Sequence, residues 1–561
     1  MSKGQAATEF LATYGWAFLV MIAVIAGIVS IDPLGMLENT NPSCSDSGLL
    51  QCEDRRVQVL STGQVELTFT NRGSDQLTIT NFSVTDQQSN STAPCSHPNT
   101  INRGSTATIT CENVSDRFVS SERTAVNYQS ETYPTSRGEQ YKRVEKGRVA
   151  AQVKAESPFS SAPNNPAQVF SNLKGDGTQS QPYIITNIHE LQAVNQDLSS
   201  HYILGNSIDA SKTKSWNAGR GFQILGSEWS TPFTGTFDGQ GHSINDLFIN
   251  ATGMYTGLFG VSHGILKDFS LNNAHIDGED NTGMVVGLTS SDLKNIAVSG
   301  EGSSSGAALG GITSYTYGNN SQVLTGLSFS GTLKGSSYIG GIVGIHRTGT
   351  VQDSTATATT QSGPYSGGIA GYIWEDSYTP RILRSSSTGF INGTYGIGGI
   401  AGYSEGIIEH SYSSMDIIDS KGPNPHGQTH NRFFGGLVGY LQGYGTTGIV
   451  NNSYAQGNVD GDRFVGGLLG ISHYGTVHST YATGKVTAQT SNVGGLLGHS
   501  FAANFQNGYW DINSTNQTTD KNGNSVSLPT QNMTGSNAET NMAGFDFTNT
   551  WRTTSSYPEL R

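Results

Sequence analysis

The chain has 561 residues, far more than one ordinary domain of about 100–200 residues, so several folding units are expected. Glycine supplies 72 positions, against an average of about 7% of residues, and charged residues supply only 13%, against about 25%. This composition favours turn-rich β structure over helices. The formal net charge of −13 argues against a nucleic-acid partner, because binding to phosphates depends on clustered Lys and Arg.

An uncharged apolar run begins at Phe10 and ends at Ile31. As a helix at about 1.5 Å per residue it would be roughly 33 Å long, which is enough to cross a bilayer. Lys3 precedes this run, and Gly4 and Gln5 follow Lys3 directly. A secretory leader has its small-residue cleavage site after the apolar stretch, so the order here is inverted.

This start, SKGQAATEF at 2–10, resembles the class III leader of archaeal type IV pilins. The resemblance implies that a prepilin peptidase removes residues 1–4 by cutting between Gly4 and Gln5, and that residues 5–31 remain as a membrane or pilin helix. Glu9 would then be the fifth mature residue, where pilins carry a glutamate that meets the N-terminal amine of a neighbouring subunit. The alternative is a plain signal-anchor with Glu9 among the lipid headgroups. In either case a cytoplasmic Lys3 predicts that the rest of the chain lies outside the cell.

Residues 32–154 show the period of two that is typical of β-strands. Apolar residues alternate with polar ones at 65–69 and 77–79, and the turn sequence NRGSD (71–75) between them predicts a β-hairpin. Further strands are indicated by Ala107, Ile109, Cys111, Val144 and Val149. A small immunoglobulin-like β-sandwich fits this pattern.

All four cysteines, Cys44, Cys52, Cys95 and Cys111, lie in this stretch, which predicts local disulfides and an oxidising exterior. Sequence order favours Cys44–Cys52 with Cys95–Cys111 over the crossed pairings. A zinc site made of the four thiolates is the competing interpretation, although the CxxC pairs that usually build one are missing.

A linker rich in Pro, Ser and Ala is predicted at 155–174, and a repeat region follows at 175–520. One Gly-apolar phrase, such as GGIVG (340–344), occurs nine times at spacings of 26 to 37 residues. The anchor glycines are Gly257, Gly283, Gly311, Gly341, Gly368, Gly399, Gly436, Gly467 and Gly495. The residues after them are all apolar: Leu258, Met284, Ile312, Ile342, Ile369, Ile400, Leu437, Leu468 and Leu496.

Such a column predicts an interior position in a parallel β-solenoid in which each repeat forms one coil. The glycines fit tight corners, which require either a positive φ or a close approach of two backbones. The segment HELQAVNQDL (189–198), preceded by Asn187 and with Glu190 three residues later, predicts a capped helix that seals the open end of the solenoid. Residues 521–561 are expected to form a C-terminal cap.

These phrases, with NSYAQGNV (452–459) and STYATGKV (479–486), resemble the GLUG repeats of large microbial surface proteins. FTGTFDGQGHSINDL (233–247) and YWDINST (509–515) resemble the segments that open and close such regions. The overall expectation is a mainly β protein with an N-terminal pilin-like α-helix, a β-sandwich and a C-terminal parallel β-helix. The resemblance itself says little about activity.

The sequence predicts no catalytic, cofactor or metal site. Three GxSxG matches, at 260–264, 302–306 and 402–406, lack the strand-to-helix context of a hydrolase nucleophile. The acidic residues that a polysaccharide-acting enzyme or a weak calcium site would use lie beside Gly or Asn, where turn formation explains them. They are Asp238, Asp277, Glu279, Asp280, Asp460 and Asp462.

Tyrosines recur just beyond the anchors, and Tyr372, Tyr403 and Tyr440 are predicted to stack in successive coils, with Tyr315 at the equivalent position of an earlier one. Such a ladder either stabilises the fold or offers a face to sugars, near the polar insertion at 421–433. The sequence thus predicts a non-enzymatic archaeal cell-surface protein for adhesion or display, anchored in the membrane or built into a type IV pilus-like filament as a minor subunit. A polysaccharide-acting β-helix enzyme and a major pilin are the alternatives. Expected partners are the prepilin peptidase, the membrane, other pilin subunits, and surface glycans or another cell.

Overall fold

The computed structural model describes residues 43–44, 50–52, 58–60, 65–87, 92–111, 114, 123–154, 166–420, 432–489, 492–521 and 524–561. They belong to two compact units, one before and one after the boundary at 157/158. Gly4, Gln5, Glu9 and the predicted helix at 5–31 lie outside the described residues. Among those that are described, no helix has both the length and the apolar character needed to cross a membrane.

The first unit contains ten strands, numbered in chain order, in two β-sheets that share β6 and β10. They are β1 Ser43–Cys44, β2 Leu50–Cys52, β3 Gln58–Leu60, β4 Val65–Asn71, β5 Leu77–Asp86, β6 Thr92–Ser96, β7 Thr100–Ile101, β8 Thr106–Cys111, β9 Arg123–Pro134 and β10 Arg143–Lys154, with a 3₁₀ turn at Glu139–Tyr141. The predicted strand at 107–111 pairs with β4, with Ile109 opposite Leu67. The predicted strand around Val144 and Val149 is β10, which pairs with β9.

The predicted hairpin across residues 71–75 is wrong. β4 pairs with β2, β3 and β8, whereas β5 pairs with β6, β7 and β9, so the chain passes here from one sheet to the other. Asn71 holds this turn, because its buried side-chain amide donates to the carbonyl oxygens of Asp75 (2.8 Å) and Ile101 (2.9 Å). The core between the sheets includes contacts of the Phe69 ring with Phe82 and Tyr128.

Cys95 and Cys111 are joined by a disulfide with an S–S distance of 2.04 Å, as sequence order favours. The two residues lie opposite each other on β6 and β8. Cys52 is also disulfide-bonded, and the described part of the chain contains no free cysteine.

The second unit is a parallel β-solenoid of about nine coils, which confirms the predicted fold class. Each typical coil contributes two segments to a long sheet and one strand to each of two further sheets. The long sheet contains Tyr183–Ile185, His201–Leu204, Ile208–Asp209, Thr236–Asp238, Ser243–Asn245, Phe248–Asn250, Ile265–Gly278, Leu293–Ser304, Val323–Thr325, Ser328–Gly335, Thr350–Gln352, Thr355–Ser362, Arg381–Leu383, Ser386–Gly393, Ile407–Glu409, Tyr412–Asp419, Ile449–Ala455, Val459–Gly461, Thr476–Ala482, Val486–Ala488, Asn504–Asp511 and Val526–Leu528. The second sheet contains Phe259–Ser262, Val286–Thr289, Thr313–Thr316, Val343–His346, Ala370–Ile373, Ala401–Ser404, Val438–Gln442, Leu469–His473 and Leu497–Phe501. The third contains Thr282–Gly283, Leu309–Gly310, Ile339–Gly340, Pro364–Gly367, Tyr395–Gly398, Phe434–Gly435, Val465–Gly466 and Val493–Gly494.

The apolar residues after the anchor glycines are fully buried in all nine coils, as predicted. Glycine is required at the anchor positions because the backbones of neighbouring coils approach closely there. A positive φ is not the reason, since no anchor glycine has one. A Cβ on Gly341 would overlap the carbonyl oxygen of Gly368 in the next coil, and a Cβ on Gly368 would overlap that of Gly399. Backbone bonds join the same residues, from Gly341 N to Gly368 O at 3.0 Å. The glycine column therefore lets the coils approach to hydrogen-bonding distance at this corner.

A second corner divides the two segments of the long sheet in each coil. One residue there has a left-handed conformation with φ between 44° and 65°. The column is Asp268, Asn295, Gly326, Asp353, Arg384, His410, Asn452, Ser479 and Asn507. Asx residues and glycine adopt this conformation readily, whereas Arg384 is held there while its guanidinium donates to both carboxylate oxygens of Asp353, at 2.7 and 2.9 Å.

Short helices lie near the first and the last of the solenoid strands along the chain. They are α1 Pro166–Ser171 and α2 Ile188–Ala193 at the start, with 3₁₀ turns at Val194–Gln196 and Ser211–Gly219, and α3 Ile512–Thr515 and α4 Asn537–Asn541 at the end, with a 3₁₀ turn at Thr530–Asn532. The side chain of Asn187 accepts from the amides of His189 and Glu190, and Glu190 accepts from the amide of Thr186 at 2.6 Å. Asn187 caps the helix as predicted, whereas Glu190 bonds to Thr186, one residue before the cap. Leu191 buries its side chain in the solenoid core. The last hairpin, Trp551–Arg552 with Glu559–Leu560, completes the C-terminal segment.

Candidate functional site

The outer face of the second sheet carries two neighbouring columns of side chains. In one column Tyr315, Ile345, Tyr372, Tyr403, Tyr440, Ile471 and His499 follow one another in register. Two residues further along each strand or turn, on the same side of the chain, the second column contains Tyr317, Arg347, Trp374, Glu405, Gln442, His473 and Phe501. Both columns run along the solenoid, so residues from distant repeats become neighbours.

The tyrosine stack, defined as Tyr372, Tyr403 and Tyr440, forms as predicted. The ring centroids are 4.5 Å apart between Tyr372 and Tyr403 and 4.9 Å apart between Tyr403 and Tyr440, with interplanar angles of 4° and 5°. Tyr315 is in register with the stack but is separated from it by Ile345. Burial raises the pKa of all three stacked hydroxyls.

Face-to-face stacking limits what the tyrosine stack can bind. The faces of Tyr403 are occupied by its two neighbours, so solvent meets ring edges and hydroxyls, and no open ring surface remains there for the C–H face of a sugar. Tyr365 packs edge-on against Tyr372 and Tyr403, with centroids 5.6 and 5.8 Å away. These contacts favour the structural role of the ladder.

Open aromatic surface lies instead in the adjacent turns, in a group that we term the aromatic strip: Trp229, Tyr317, Arg347 and Trp374. The three rings are 48%, 45% and 42% exposed. Trp229 approaches Tyr317 at 5.6 Å with an interplanar angle of 78°. Among the described residues, none of the three rings is stacked face to face with another ring.

Arg347 holds the aromatic strip together. Its guanidinium carbon lies 5.6 Å from the ring centroid of Tyr317 and 5.2 Å from that of Trp374, so it forms cation–π contacts with both. The same guanidinium forms an ion pair with Asp376 and donates to the hydroxyl of Tyr315 at 3.4 Å. The short turn 347–349 lies between the longer turns 317–322 and 374–380, which places Arg347 between two more exposed rings.

A carboxyl pair lies beside the strip. Glu405, only 7% exposed, accepts from the backbone N–H of Glu375 at 3.0 Å and from the Tyr403 hydroxyl at 3.4 Å. The carboxylate of Glu375 accepts from the hydroxyl of Thr447 at 2.7 Å, which joins the turns on either side of Glu405. Burial, with the charge of Glu375 adding to it, raises the pKa of Glu405.

The solenoid has a second ladder of tyrosines, the C-terminal stack, made of Tyr412, Tyr454, Tyr481 and Tyr509 in register on the long sheet. Two of its members, Tyr454 and Tyr481, belong to the repeated phrases NSYA and STYA. The C-terminal segment covers most of it, since Trp551, Phe545, Met533 and Met542 pack against the buried rings of Tyr454, Tyr481 and Tyr509. The hydroxyl of Tyr481 donates to the carbonyl oxygen of Pro558 at 2.6 Å.

Three of the acidic residues weighed as enzymatic candidates have structural partners: Asp238, Asp277 and Asp280. Asp238 forms an ion pair with Lys267 in a shallow depression that Asp268 also lines. Asp277 contacts His275 at 2.9 Å, and Asp280 accepts from the amide of Ala307 at 3.0 Å. No group of three or more His, Cys, Asp and Glu side chains in the described ranges is placed to hold a metal ion.

The serines of the three GxSxG matches do not form exposed nucleophiles. Ser262 and Ser404 are fully buried, and Ser304 is nearly so. The hydroxyl of Ser262 donates to the carbonyl oxygen of Gly264 at 3.0 Å, which closes the turn. These sequences are corners of the solenoid, as the sequence analysis expected.

Comparison with known proteins places parts of this chain beside large surface and secreted proteins. No family model matches. Halomucin of Haloquadratum walsbyi is 36% identical over 22% of this chain and 2% of its own length. A protein of Evansella cellulosilytica assigned as a Gly-rich membrane protein is 32% identical over 22% of this chain and 15% of its own. The immunoglobulin A1 protease of Streptococcus sanguinis is 27% identical over 19% of this chain and 6% of its own length. The chain thus spans well under a fifth of the length of these relatives.

Two solved structures are similar at low identity. A crystal structure from Bacteroides ovatus, assigned as an immunoglobulin A1 protease, has a TM-score of 0.38 at 19% identity and covers 72% of this chain and 99% of that one. An IgA1 protease structure has a TM-score of 0.37 at 16% identity and covers 74% of this chain and 28% of that one.

Sequence reasoning found the tyrosine stack and missed the aromatic strip and the carboxyl pair. Trp229 precedes the first anchor glycine, and the residue type at the positions of Tyr317, Arg347 and Trp374 changes from coil to coil, so no repeated residue marks this column. A usable signal exists: counted from each anchor glycine, Tyr317, Arg347, Trp374 and Glu405 all lie six residues on. Of the polar insertion at 421–433, which was weighed as a neighbour of the site, residues 421–431 lie outside the described residues.

Proposed function

We propose that this chain is a cell-surface adhesion or display protein whose solenoid contacts its partner through the aromatic strip. One contrast carries the proposal. On the C-terminal stack the chain covers its own aromatic ladder with Trp551 and Phe545, whereas the strip keeps three rings more than 40% exposed. Exposed aromatic groups with polar neighbours are typical of interaction sites, since leaving them in water lowers stability.

The comparisons support a surface location for this proposal. Halomucin and the Gly-rich membrane protein are each similar to about a fifth of this chain, and both are surface-type proteins. The low charge and the dense glycine corners suit a stiff outward-facing rod.

Cells that display the full chain provide the test. They should adhere to partner cells or surfaces more strongly than cells that lack it, and Trp374→Ala should reduce this adhesion. Tyr412→Ala is the matched control, because Tyr412 is 36% exposed and lies on the long sheet. Equal adhesion with and without the chain would refute the proposal.

The N-terminal part of the proposal concerns anchoring. We propose that a prepilin peptidase cuts between Gly4 and Gln5 and that residues 5–31 hold the protein in the membrane or in a pilus-like filament as a minor subunit. Glu9→Ala should leave export intact and reduce incorporation into a filament. N-terminal sequencing should find Gln5 first; Met1, or a start after residue 26, would contradict the leader, and filaments made chiefly of this chain would favour a major pilin.

A polysaccharide-acting enzyme is the second candidate, and the Glu405–Glu375 pair is the observation that favours it. A buried acid with a raised pKa beside a second carboxylate is the arrangement that glycosidases use. A substrate would have to open the Thr447–Glu375 hydrogen bond to reach Glu405. Release of reducing ends from neutral polysaccharides that disappears in Glu405→Gln would support this activity, and release unchanged by that substitution would not.

A further inference from the structure

The exposed apolar groups around the aromatic strip are all aromatic. In the turns 227–232, 317–322 and 374–380, the large exposed apolar side chains are Trp229, Tyr317, Trp374 and Tyr378. Each combines a flat apolar ring with an N–H or O–H group. These described turns contain no exposed aliphatic side chain.

The charges of the strip disfavour an anionic ligand. Arg347 is the sole cationic residue of these turns and of the turn 347–349, and its guanidinium already pairs with Asp376. Glu228 and Glu375 add two carboxylates. An anion would therefore meet net negative charge, which costs binding free energy at close range.

Hydrogen-bonding groups flank the rings. Asn319, Asn320 and Ser321 are exposed beside Tyr317, and Ser377 is exposed near Trp374. Amide and hydroxyl groups both donate and accept, as the hydroxyls of a sugar do. Apolar ring faces with such groups at their edges match a saccharide ring, whose C–H face is apolar and whose periphery carries hydroxyls.

We infer that the aromatic strip binds a neutral, hydroxyl-rich glycan chain. The inference rests on the proposed function and names its ligand class. The chain lies across Trp229, Tyr317 and Trp374, with Arg347 and Asp376 between the rings as fixed hydrogen-bonding partners. Because the cation–π contacts and the ion pair hold Arg347 in place, the site is ordered before the ligand arrives, which lowers the entropy lost on binding.

The test uses the purified full chain with mannan, galactan and a neutral β-glucan as probes, and with polygalacturonate as the anionic comparator. Affinity electrophoresis should show retardation by at least one neutral polysaccharide and none by polygalacturonate. Trp374→Ala and Tyr317→Ala should each weaken the binding about tenfold, since each removes one stacking ring. Tyr412→Ala should bind as the natural protein does, and unchanged circular dichroism would show that all variants are folded.

The outcomes separate the ligand class from the contact surface. Trp374→Ala could abolish adhesion although no neutral polysaccharide retards the protein. This result would overturn the inference that the ligand is a glycan, and it would leave the strip as a contact surface for a protein partner. Retardation that persists unchanged in both strip variants would place the glycan elsewhere and overturn the inference.

Discussion

At the scale of single residues, His346 makes stability depend on pH. Its imidazole is fully buried, with Nδ1 3.1 Å from the hydroxyl of Thr316 and Nε2 3.2 Å from the carbonyl oxygen of Arg381, and burial lowers its pKa to about 4. An unfolded chain binds the proton below about pH 6.5, so between these values the unfolded state carries more protons. Neutral His346 therefore contributes about 3 kcal/mol to the free energy of unfolding above pH 6.5, and this contribution is lost as the pH falls to about 4.

Urea unfolding at pH 7 and pH 4.5 measures this effect. The variant His346→Ile removes the titrating group. Isoleucine is chosen because the next coil has Ile373 at the equivalent position. The natural protein should lose more free energy of unfolding over this range than the variant does. Equal losses would show that His346 does not titrate as its burial requires.

The anchor glycines give a second residue-scale prediction. Gly341→Ala should lower the free energy of unfolding by about 3 kcal/mol, because the new Cβ overlaps the carbonyl oxygen of Gly368 and forces the coils apart. Gly253→Ala is the matched control, since it lies in open space without a positive φ, and it should be neutral. Similar melting temperatures for both variants would contradict the packing argument.

The sequence predicts the corner formed by the anchor glycines, but it does not predict the left-handed corner that divides the two segments of the long sheet. The difference has a physical reason. An overlap with backbone excludes every side chain, so the first corner repeats as glycine at every coil. The left-handed corner tolerates Asp268, Asn295 and even Arg384, because their side chains form compensating hydrogen bonds. Its residue types therefore vary along the chain and show no visible period.

At the scale of elements, the tyrosine stack is expected to serve the fold. Tyr403→Leu removes two face-to-face contacts and should lower the free energy of unfolding by about 2 kcal/mol while leaving adhesion unchanged. Tyr444→Leu, in a nearby turn and 62% exposed, should change stability little. Adhesion lost in Tyr403→Leu at an unchanged melting temperature would instead make the stack a binding site.

The elements that the sequence predicts best are those fixed by local pattern. Strands at 65–71 and 106–111 follow from alternation, and α2 follows from Asn187 and Glu190. The pairing of β4 with β8 and not with β5 depends on buried Asn71, whose role needs the distant carbonyl of Ile101. The aromatic strip depends in the same way on contacts between turns, such as Arg347 with Asp376, that single-sequence spacing does not encode.

At the scale of the whole molecule, the proposed contact surface and the C-terminal stack lie on different sheets of the solenoid, whereas the tyrosine stack lies beside the strip on the second sheet. Coils contact chiefly their neighbours, so a substitution on one face disturbs a few coils and leaves the others folded. The C-terminal segment belongs to the stabilising part, since it covers Tyr454 and Tyr481 on the long sheet. The strip lies in turns that follow the second sheet, where longer loops are tolerated without disturbing the core.

The most direct test of the aromatic strip as the contact surface attaches a bulky group beside it. Asn320→Cys introduces a thiol into the exposed turn 317–322, and Thr357→Cys introduces one on the exposed outer face of the long sheet. Cells displaying each variant are treated with a maleimide-linked polyethylene glycol, and their adhesion is measured before and after treatment. If the strip is the contact surface, modification at position 320 abolishes adhesion and modification at position 357 leaves it unchanged. Adhesion retained at 320, or lost only at 357, would contradict that role.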